Sequence, residues 1–190
     1  MLFQQLVELD LGQNLIEFIS EDAFVTLARL EVLYLDANKL ASLASPWLRP
    51  ISASLSQLNL GHNAAIQRLE ANVFLPLKNL RQLNLTGASI VNISSDAFRG
   101  LGGLYDSNSG LHTLSLAYNA LDKFPKEALA SLANLRHLFI GGNFIESLNQ
   151  GDLTALTRYL LPRYNSTLRF HKLFSASSNL TWATRQIWFI

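Results

Sequence analysis

Large apolar residues, mostly leucine, recur along the chain in the frame L-x-x-L-x-L-x-x-N-x-L/I. The second and third leucines of the frame lie two residues apart, which is the period of a β-strand, so both should point to one side of the chain. The copies begin at Leu6, Leu30, Leu55, Leu80, Leu111 and Leu135. The steps between these starts are 24, 25, 25, 31 and 24, so only the step after Leu80 needs an insertion. Repetition at this interval predicts a solenoid of stacked coils.

Each copy opens with a short strand and continues through an arc of more widely spaced apolar residues, such as Ile19, Phe24 and Leu27 in the first copy. About seven apolar side chains per copy, each contributing roughly 1.5–3 kcal/mol when buried, find no partner within their own copy. We therefore expect the copies to share one leucine-filled interior. The fold class is an α/β solenoid with a parallel sheet on its concave face and irregular or short helical segments on its convex face.

An asparagine follows the strand in five of the six copies, and Ala88 takes its place in the fourth. We expect the asparagine amide to turn inward and to satisfy main-chain groups at the bend, because a buried polar group left unpaired costs about 1–3 kcal/mol. The alanine therefore predicts local loosening in the fourth copy, next to the irregular segment at 105–110. The third copy also differs, since it carries one extra residue after Asn63.

This frame resembles that of the leucine-rich repeat family over residues 3–158, and the 24-residue step with Phe24, Phe74 and Phe98 is similar to the typical extracellular subtype. Toll-like receptors, Slit, small proteoglycans and the adhesion protein chaoptin share that subtype, and an unbroken adhesion array like that of chaoptin is preferred. The resemblance implies a right-handed curved coil. It also implies a module for protein recognition or cell adhesion, which binds a protein ligand or its own copy through the concave sheet.

Composition and short motifs give opposing signals about the compartment. The chain has no cysteine, which excludes disulfides and thiolate metal sites and by itself favours a reducing environment. Four N-x-S/T sequons favour a secreted or cell-surface parent protein, for which a membrane anchor is compatible with the resemblance. They lie at Asn84, Asn92, Asn165 and Asn179. We expect a glycan on Asn92, on the outer arc, before Asn84, which projects from the middle of the sheet and would block a ligand there.

The outward-facing residues of the strands should form columns down the concave face. The middle column reads Asp10, Tyr34, Asn59, Asn84, Ser115 and Phe139. Exposed aromatic residues often anchor protein partners, so the candidate partner-binding residues are Tyr34, Asn59, Tyr118, His137 and Phe139. The alternative is that the carboxyl-terminal tail covers Phe139 and Phe144 as a makeshift cap. Glu8, Asp10 and Asp36 form a small acidic patch that we interpret as a solvated face.

No pattern in the sequence indicates catalysis. The four histidines lack metal-binding spacing, and the chain has neither a G-x-S-x-G elbow nor a phosphate-binding G-x-x-x-x-G-K-S/T loop. Lysine and arginine are scattered through a chain of net charge +1, so no basic stripe indicates nucleic acid. We therefore expect no enzyme, no cofactor, no metal and no small-molecule substrate.

We divide the chain into a repeat array at 1–159, which starts in the middle of a repeat, and an irregular tail at 160–190. Pro162 falls at a strand position of the next 24-residue copy, and proline cannot donate a strand hydrogen bond, so the array should stop there. The tail is either an irregular cap or a foreign end. The opening residues show no signal peptide and both ends lack cysteine-rich caps, so we expect a fragment of a longer array.

Two further interpretations stay open at this point. An intracellular scaffold or regulatory subunit would account for the absence of cysteine. A truncated gene product without an independent function would expose cut repeat faces and would aggregate when expressed alone.

Overall fold

The computed structural model describes residues 3–43, 46–103, 109–152 and the strand at 167–169. The strands are β1 (Glu8–Asp10), β2 (Val32–Tyr34), β3 (Gln57–Asn59), β4 (Arg68–Leu69), β5 (Gln82–Asn84), β6 (Asn92–Ile93), β7 (Thr113–Ser115), β8 (His137–Phe139) and β9 (Thr167–Arg169). Seven of these strands form one parallel sheet in the order β1-β2-β3-β5-β7-β8-β9, and β4 pairs with β6 in a second, two-stranded ladder. The arcs between them contain a 3-10 helix at Pro46–Leu48 and a short α-helix, α1, at Lys126–Leu129.

The strand register confirms the predicted solenoid. The middle leucine of the frame pairs with the same leucine in the next copy, as Leu9 does with Leu33 and Leu33 with Leu58. The third leucine of the frame is fully buried in four consecutive coils, with 0% exposure at Leu35, Leu60, Leu85 and Leu116. These side chains belong to one continuous core, so each coil completes the interior of its neighbours.

Aromatic pairs from adjacent coils hold the convex side together. Phe24 meets Trp47 edge-to-face with ring centroids 5.8 Å apart, and Phe74 stacks on Phe98 at 6.1 Å. All four rings are buried. Such aromatic pairs contribute about 0.5–1.5 kcal/mol beyond the area that they bury. The phenylalanines that marked the subtype in the sequence therefore join one coil to the next.

The asparagine at the strand exit satisfies main-chain groups, as the sequence predicted, and these groups belong to two neighbouring coils. The Asn119 amide donates to the carbonyl of Leu85 in the coil before (2.9 Å) and to that of Leu116 in its own coil (3.0 Å). Its Oδ1 accepts the N–H of Ile90 in the coil before, at 2.9 Å. The same arrangement recurs at Asn38, Asn63 and Asn143. Asn14, in the first coil, bonds to the carbonyls of Leu11 and Gly12 in its own coil.

The loosening that we predicted at Ala88 is not seen in the hydrogen bonding. Ala88 is fully buried. An asparagine at this position would accept the N–H of Ile66, in the coil before. The Ile66 N–H instead donates to the Asn63 carbonyl at 3.1 Å. The extra residue after Asn63 allows this turn, so the two irregularities of the sequence compensate each other across neighbouring coils.

The residue just before each of these asparagine positions adopts a left-handed backbone conformation. The values of φ are 55° at Gln13, 51° at Ala37, 57° at His62, 65° at Gly87, 55° at Tyr118 and 73° at Gly142. This conformation turns the chain out of the sheet at the same place in every coil. At Gly142 a Cβ atom would lie 2.6 Å from Cδ1 of the Tyr118 ring, so a larger residue there would force that exposed ring to shift.

The two ends of the insertion between the fourth and fifth copies are joined by a main-chain hydrogen bond. The N–H of Leu111 donates to the carbonyl of Leu101 at 2.7 Å, which joins the two ends of the insertion. Gly103 and Gly110 both have positive φ, and a side chain at Gly110 would collide with the main chain of Leu101 and Gly103. We call this closure the neck of the insertion.

The tail contains one more strand than the sequence predicted. Thr167–Arg169 pairs in parallel with β8, with Leu168 opposite Leu138, so the sheet continues past Pro162 and the prediction that it stops there was wrong. The reason is the step length. The step from Leu138 to Leu168 is nearly as long as the one from Leu80 to Leu111, whereas the prediction assumed a 24-residue step. Residues 153–166 and 170–190 lie outside the described residues.

In the described part of the chain, the helices are all too short or too polar to cross a membrane.

A neutral trough on the concave sheet

A trough of about 450 Å³ lies on the outward face of the middle five strands of the large sheet. The residues with polar or aromatic side chains that line it are uncharged: Tyr34, Gln57, Asn59, Gln82, Asn84, Thr86, Thr113, Ser115 and Phe139. Alternation along each strand produces this lining, because the frame leucines point inward and the residues between them point outward. The trough therefore offers amides, hydroxyls and two aromatic rings without a formal charge.

Hydrogen bonds hold one column of the trough in two separate groups, each of which spans two neighbouring coils. The Asn59 amide donates to Oδ1 of Asp36 at 2.7 Å, and the Asn59 Oδ1 accepts the Gly61 N–H at 3.1 Å. The Oδ1 of Asn84 accepts both the N–H and the hydroxyl of Thr86, at 3.0 and 2.6 Å. These side chains are held in place before any partner arrives.

The second of these groups extends from the fourth coil into the fifth. The Thr86 hydroxyl lies 2.7 Å from the Ser115 hydroxyl. The ladder is thus built from short side chains, which lose little conformational freedom when they are held in one position. A partner would meet a surface whose polar groups need no rearrangement.

Side chains in the neighbouring column have hydrogen-bond donors and acceptors that are not used within the described part of the chain. Within the described part of the chain, the side chains of Gln57, Gln82 and Thr113 make no hydrogen bond. They stand on three consecutive strands, in register with one another. Both donors and acceptors are available there at the spacing of adjacent strands, about 4.7–4.9 Å.

The five candidate residues fall into two groups. Tyr34, Asn59 and Phe139 line the trough, with the two rings at opposite ends, about 19 Å apart at four strand spacings. His137, which follows Thr113 in the neighbouring column, is not part of the lining, and neither is Tyr118, which is 54% exposed beyond the end of β7. Phe144, weighed with Phe139 as part of a cap, is 69% exposed. The sequence interpretation did not select Gln57 and Gln82, whose signal was their shared place in consecutive copies, or Thr86, which has no such signal.

The two sequons within the described residues have different surroundings. Asn84 is half-buried in the trough, and its Oδ1 is engaged by Thr86. Asn92 is exposed on β6, in the separate ladder with β4. Asn165 and Asn179 lie outside the described residues. A glycan on Asn92 would extend away from the trough, whereas one on Asn84 would fill it.

No cluster of three or more potential metal ligands occurs among the described residues. The observed chemistry is that of a surface that makes contacts: a rigid polar ladder, a column of available amides and aromatic rings at each end. Stacked coils, an asparagine ladder and a concave parallel sheet place the chain in the class of solenoid proteins whose curved sheet is a binding surface.

A family model described as "Leucine rich repeat" matches residues 3–40, 53–105 and 109–160. The chain belongs to the leucine-rich repeat family, as the frame predicted.

Similar proteins include keratocan of Gallus gallus, 30% identical over 183 residues, which cover 82% of this chain and 48% of keratocan. Toll-like receptor 2 type-2 of Gallus gallus is 30% identical over 130 residues, covering 68% of this chain and 16% of the receptor. Among solved structures, the mouse RP105/MD-1 complex matches with a TM-score of 0.61 and 28% identity, over 74% of this chain and 22% of the matched one. The TLR13–ssRNA13 complex matches with a TM-score of 0.62 and 25% identity, over 80% and 24%.

The chain thus spans less than half the length of these curated relatives. The relatives are extracellular or cell-surface proteins, in agreement with the predicted subtype. The matches indicate no enzyme family and are generally binding modules. Interaction or recognition is therefore the function that the family supports.

Proposed function

We propose that this chain is a non-enzymatic recognition module of an extracellular or cell-surface protein, and that its concave trough binds a protein partner. The observation that carries the proposal is two hydrogen-bonded groups of side chains, Asp36 with Asn59 and Asn84 with Thr86 and Ser115, beside the available amides of Gln57 and Gln82. A surface arranged before binding loses little entropy on association. The rings of Tyr34 and Phe139 at the two ends supply aromatic contact area.

The partner surface should be hydrogen-bonding and nearly uncharged, since a charged group placed in the trough would lose hydration without meeting an opposite charge. Cell adhesion is the specific form that we favour, with the partner being another protein or a second copy of this chain on a neighbouring cell. The parent protein can hold the module at the membrane by parts that lie outside this chain.

Binding of a multimerised, tagged chain to a panel of cells tests the role of the trough. Gln82→Arg places a positive charge among the neutral amides and should abolish binding to any cell type that the unmodified chain labels. Ser95→Arg adds the same charge at an exposed position on the convex arc and should leave binding intact. Equal labelling by both variants would refute the trough as the binding surface. Beads coated with the chain, which clump only if copies bind each other, distinguish a second copy from another protein.

We further propose that Asn92 carries the N-linked glycan and that Asn84 stays unmodified. The support is the exposure of Asn92 on β6 and the engagement of Asn84 in the ladder of the trough. Mass spectrometry of the chain secreted from animal cells should find sugar on Asn92, and Asn92→Gln should remove it. A fully occupied Asn84 would contradict both the glycan assignment and the open trough.

A further inference from the structure

The fold places the charged residues of the arcs on two opposite flanks of the solenoid. The strands of the large sheet are parallel, so every coil leaves the sheet on one side and returns to it on the other. The exit flank follows the position of the exit asparagine and comprises residues 15–23, 39–43, 46–47, 64–73, 89–97, 120–128 and 144–152. The return flank leads from the convex side to the next strand and comprises residues 24–31, 48–56, 74–81, 98–103, 109–112 and 129–136.

The return flank is basic. Over the described residues it carries six arginines and lysines against one acid, Glu31. The six basic residues come from all of the first five coils: Arg29, Arg49, Lys78, Arg81, Arg99 and Arg136. Arg49, Lys78 and Arg99 are exposed and make no hydrogen bond or ion pair within the described part of the chain. The charges of these three side chains are therefore available to a partner.

The exit flank is acidic. Its described residues include nine acids and four basic residues. Two ion pairs lie within this flank, Lys39 with Glu17 at 3.9 Å and Lys126 with Asp152 at 3.2 Å. Two basic residues then remain against seven exposed acids that form no ion pair in the described part of the chain, namely Glu21, Asp22, Glu70, Asp96, Asp122, Glu127 and Glu146. The flank thus keeps an excess of negative charge.

Opposite charge on the two flanks makes the chain complementary to its own copy. When two copies lie side by side with their axes parallel, the return flank of one faces the exit flank of the other. Both flanks run along the solenoid axis and share the spacing of the coils, so opposite charges can meet over several coils. A two-fold pairing of like flanks would bring like charges together, so the favoured contact joins unlike flanks.

We propose that copies of this chain associate side by side, with the basic return flank of one against the acidic exit flank of the next. Such a contact leaves one unused flank at each end of a pair, so further copies can add to form a row. Exposed ion pairs are individually weak and are screened by salt, so free copies should associate weakly. Copies held on one membrane would reinforce one another through many such contacts. The trough lies on the concave face and stays open in the row.

The glycan that we propose on Asn92 would control this association. Asn92 is exposed on the exit flank, next to Arg68 in the β4–β6 ladder. The acids Glu70 and Asp96 follow the two strands of that ladder. A sugar at this place would hold a neighbouring copy away from these acids. Chains with and without the sugar should therefore differ in their association.

Sedimentation velocity of the full chain produced in bacteria, which add no sugar, tests the contact. The sedimentation coefficient should rise with protein concentration at about 20 mM salt and stay constant at about 500 mM salt, where the charges are screened. Two variants alter one flank each. Arg49→Glu with Arg99→Glu places acids on the return flank, and Glu70→Lys with Asp96→Lys places basic residues on the exit flank. Each variant alone should self-associate about tenfold more weakly than the unmodified chain.

Matched controls make the same changes in net charge elsewhere. Arg68→Glu with Lys123→Glu adds acids to the exit flank and should associate at least as strongly as the unmodified chain. Glu8→Lys with Asp10→Lys alters the concave face and should leave association unchanged. An equal loss in a flank variant and in its control would show that net charge alone decides, and would overturn the proposal. Thermal unfolding of every variant checks that the fold is retained.

Mixing the two flank variants gives the decisive result. The exit flank of the first and the return flank of the second are both unmodified, so the mixture should form pairs that neither variant forms alone. A mixture without pairs would overturn the contact between unlike flanks. If the unmodified chain stays monomeric at low salt while a heparin oligosaccharide binds it, the partner of the return flank is a polyanion and the proposal of a second copy is overturned.

A last comparison uses the chain secreted from animal cells. Once mass spectrometry shows sugar on Asn92, this chain should associate about tenfold more weakly than Asn92→Gln from the same cells. Equal association would contradict a contact through the exit flank. Gln82→Arg, which tests the trough, should leave sedimentation unchanged, so this proposal and that of the trough can fail separately.

Discussion

At the scale of single residues, predictability depends on whether a residue type has one role in every coil. The frame leucines and the exit asparagines do, so the buried positions and the bridging amides followed from the sequence. The left-handed conformation of the residue before each asparagine position did not follow from the sequence, because this position is filled by residues as different as Ala37, His62 and Tyr118. The conformation there is imposed by the stacking of the coils, and local preference contributes little to it.

Replacement of a bridging asparagine should be far more damaging than replacement of one that bonds locally. Asn119→Ala leaves the Ile90 N–H and the Leu85 carbonyl without their partners inside the core, so we expect a loss of about 2–3 kcal/mol in the free energy of unfolding. Asn14→Ala removes two bonds at an exposed site and should cost less than about 1 kcal/mol. Urea denaturation followed by circular dichroism measures both. Equal costs would show that the amide bridge does not stabilise the stack.

At the scale of elements, the L-x-L pairs located the six strands of the repeats correctly, because a two-residue period with inward leucines has few other interpretations. The β4–β6 ladder was missed. Its strands, Arg68–Leu69 and Asn92–Ile93, are two residues long and carry no alternation to detect. The seventh strand was missed because an insertion shifted Leu168 away from the expected step.

The irregularities of the third and fourth copies should be coupled energetically. Deletion of Ala65 removes the turn in which the Ile66 N–H reaches the Asn63 carbonyl, and should destabilise the chain by about 1–3 kcal/mol. Ala88→Asn in the same chain restores the usual bridge, since the amide introduced at position 88 can accept from the Ile66 N–H. Ala88→Asn alone places a polar side chain in a site that is 0% exposed and should also destabilise.

A double-mutant cycle by urea denaturation checks this coupling. We expect the combined variant to be more stable, by about 1 kcal/mol or more, than the sum of the two single changes predicts. Additive effects would mean that the extra residue and the missing asparagine arose independently.

At the scale of the whole molecule, the concave face could be predicted as columns, but the features that distinguish it could not. The neutral trough needs the hydrogen bonds among Asp36, Asn59, Asn84 and Thr86 to become a rigid surface. Separation by a whole coil along the sequence conceals these contacts, and the common register of the strands reveals them.

An ion pair links the last two described coils and should make stability depend on acid. The N–H of Asn149, and then the Lys126 ammonium at 3.2 Å, lower the pKa of Asp152 against the opposing effect of burial. A carboxyl with a lowered pKa binds fewer protons in the folded state than in the unfolded state. Its stabilising contribution is therefore complete above the unfolded pKa, near 3.9, and is lost as pH falls through the lower folded value.

Urea unfolding of the unmodified chain and of Asp152→Asn, at a series of pH values from 6 to 2, tests this linkage. The unmodified chain should be the more stable at pH 6, and the gap should close toward pH 2. Asp122→Asn, a change of the same kind at an exposed position in the coil before, provides the matched comparison. A gap that stays constant across the series would assign the effect of Asp152 to packing.

The neck between Leu101 and Leu111 separates the length of the insertion from the geometry of the array. Because the hydrogen bond between these two residues fixes both ends, chain added at 104–108 would leave the spacing of β5 and β7 unchanged. A flexible graft inserted there would cost only about 0.6 kcal/mol in closure entropy for each doubling of its length. The insertion is therefore a permissive site, where an epitope or a whole guest domain can be grafted at a small energetic cost.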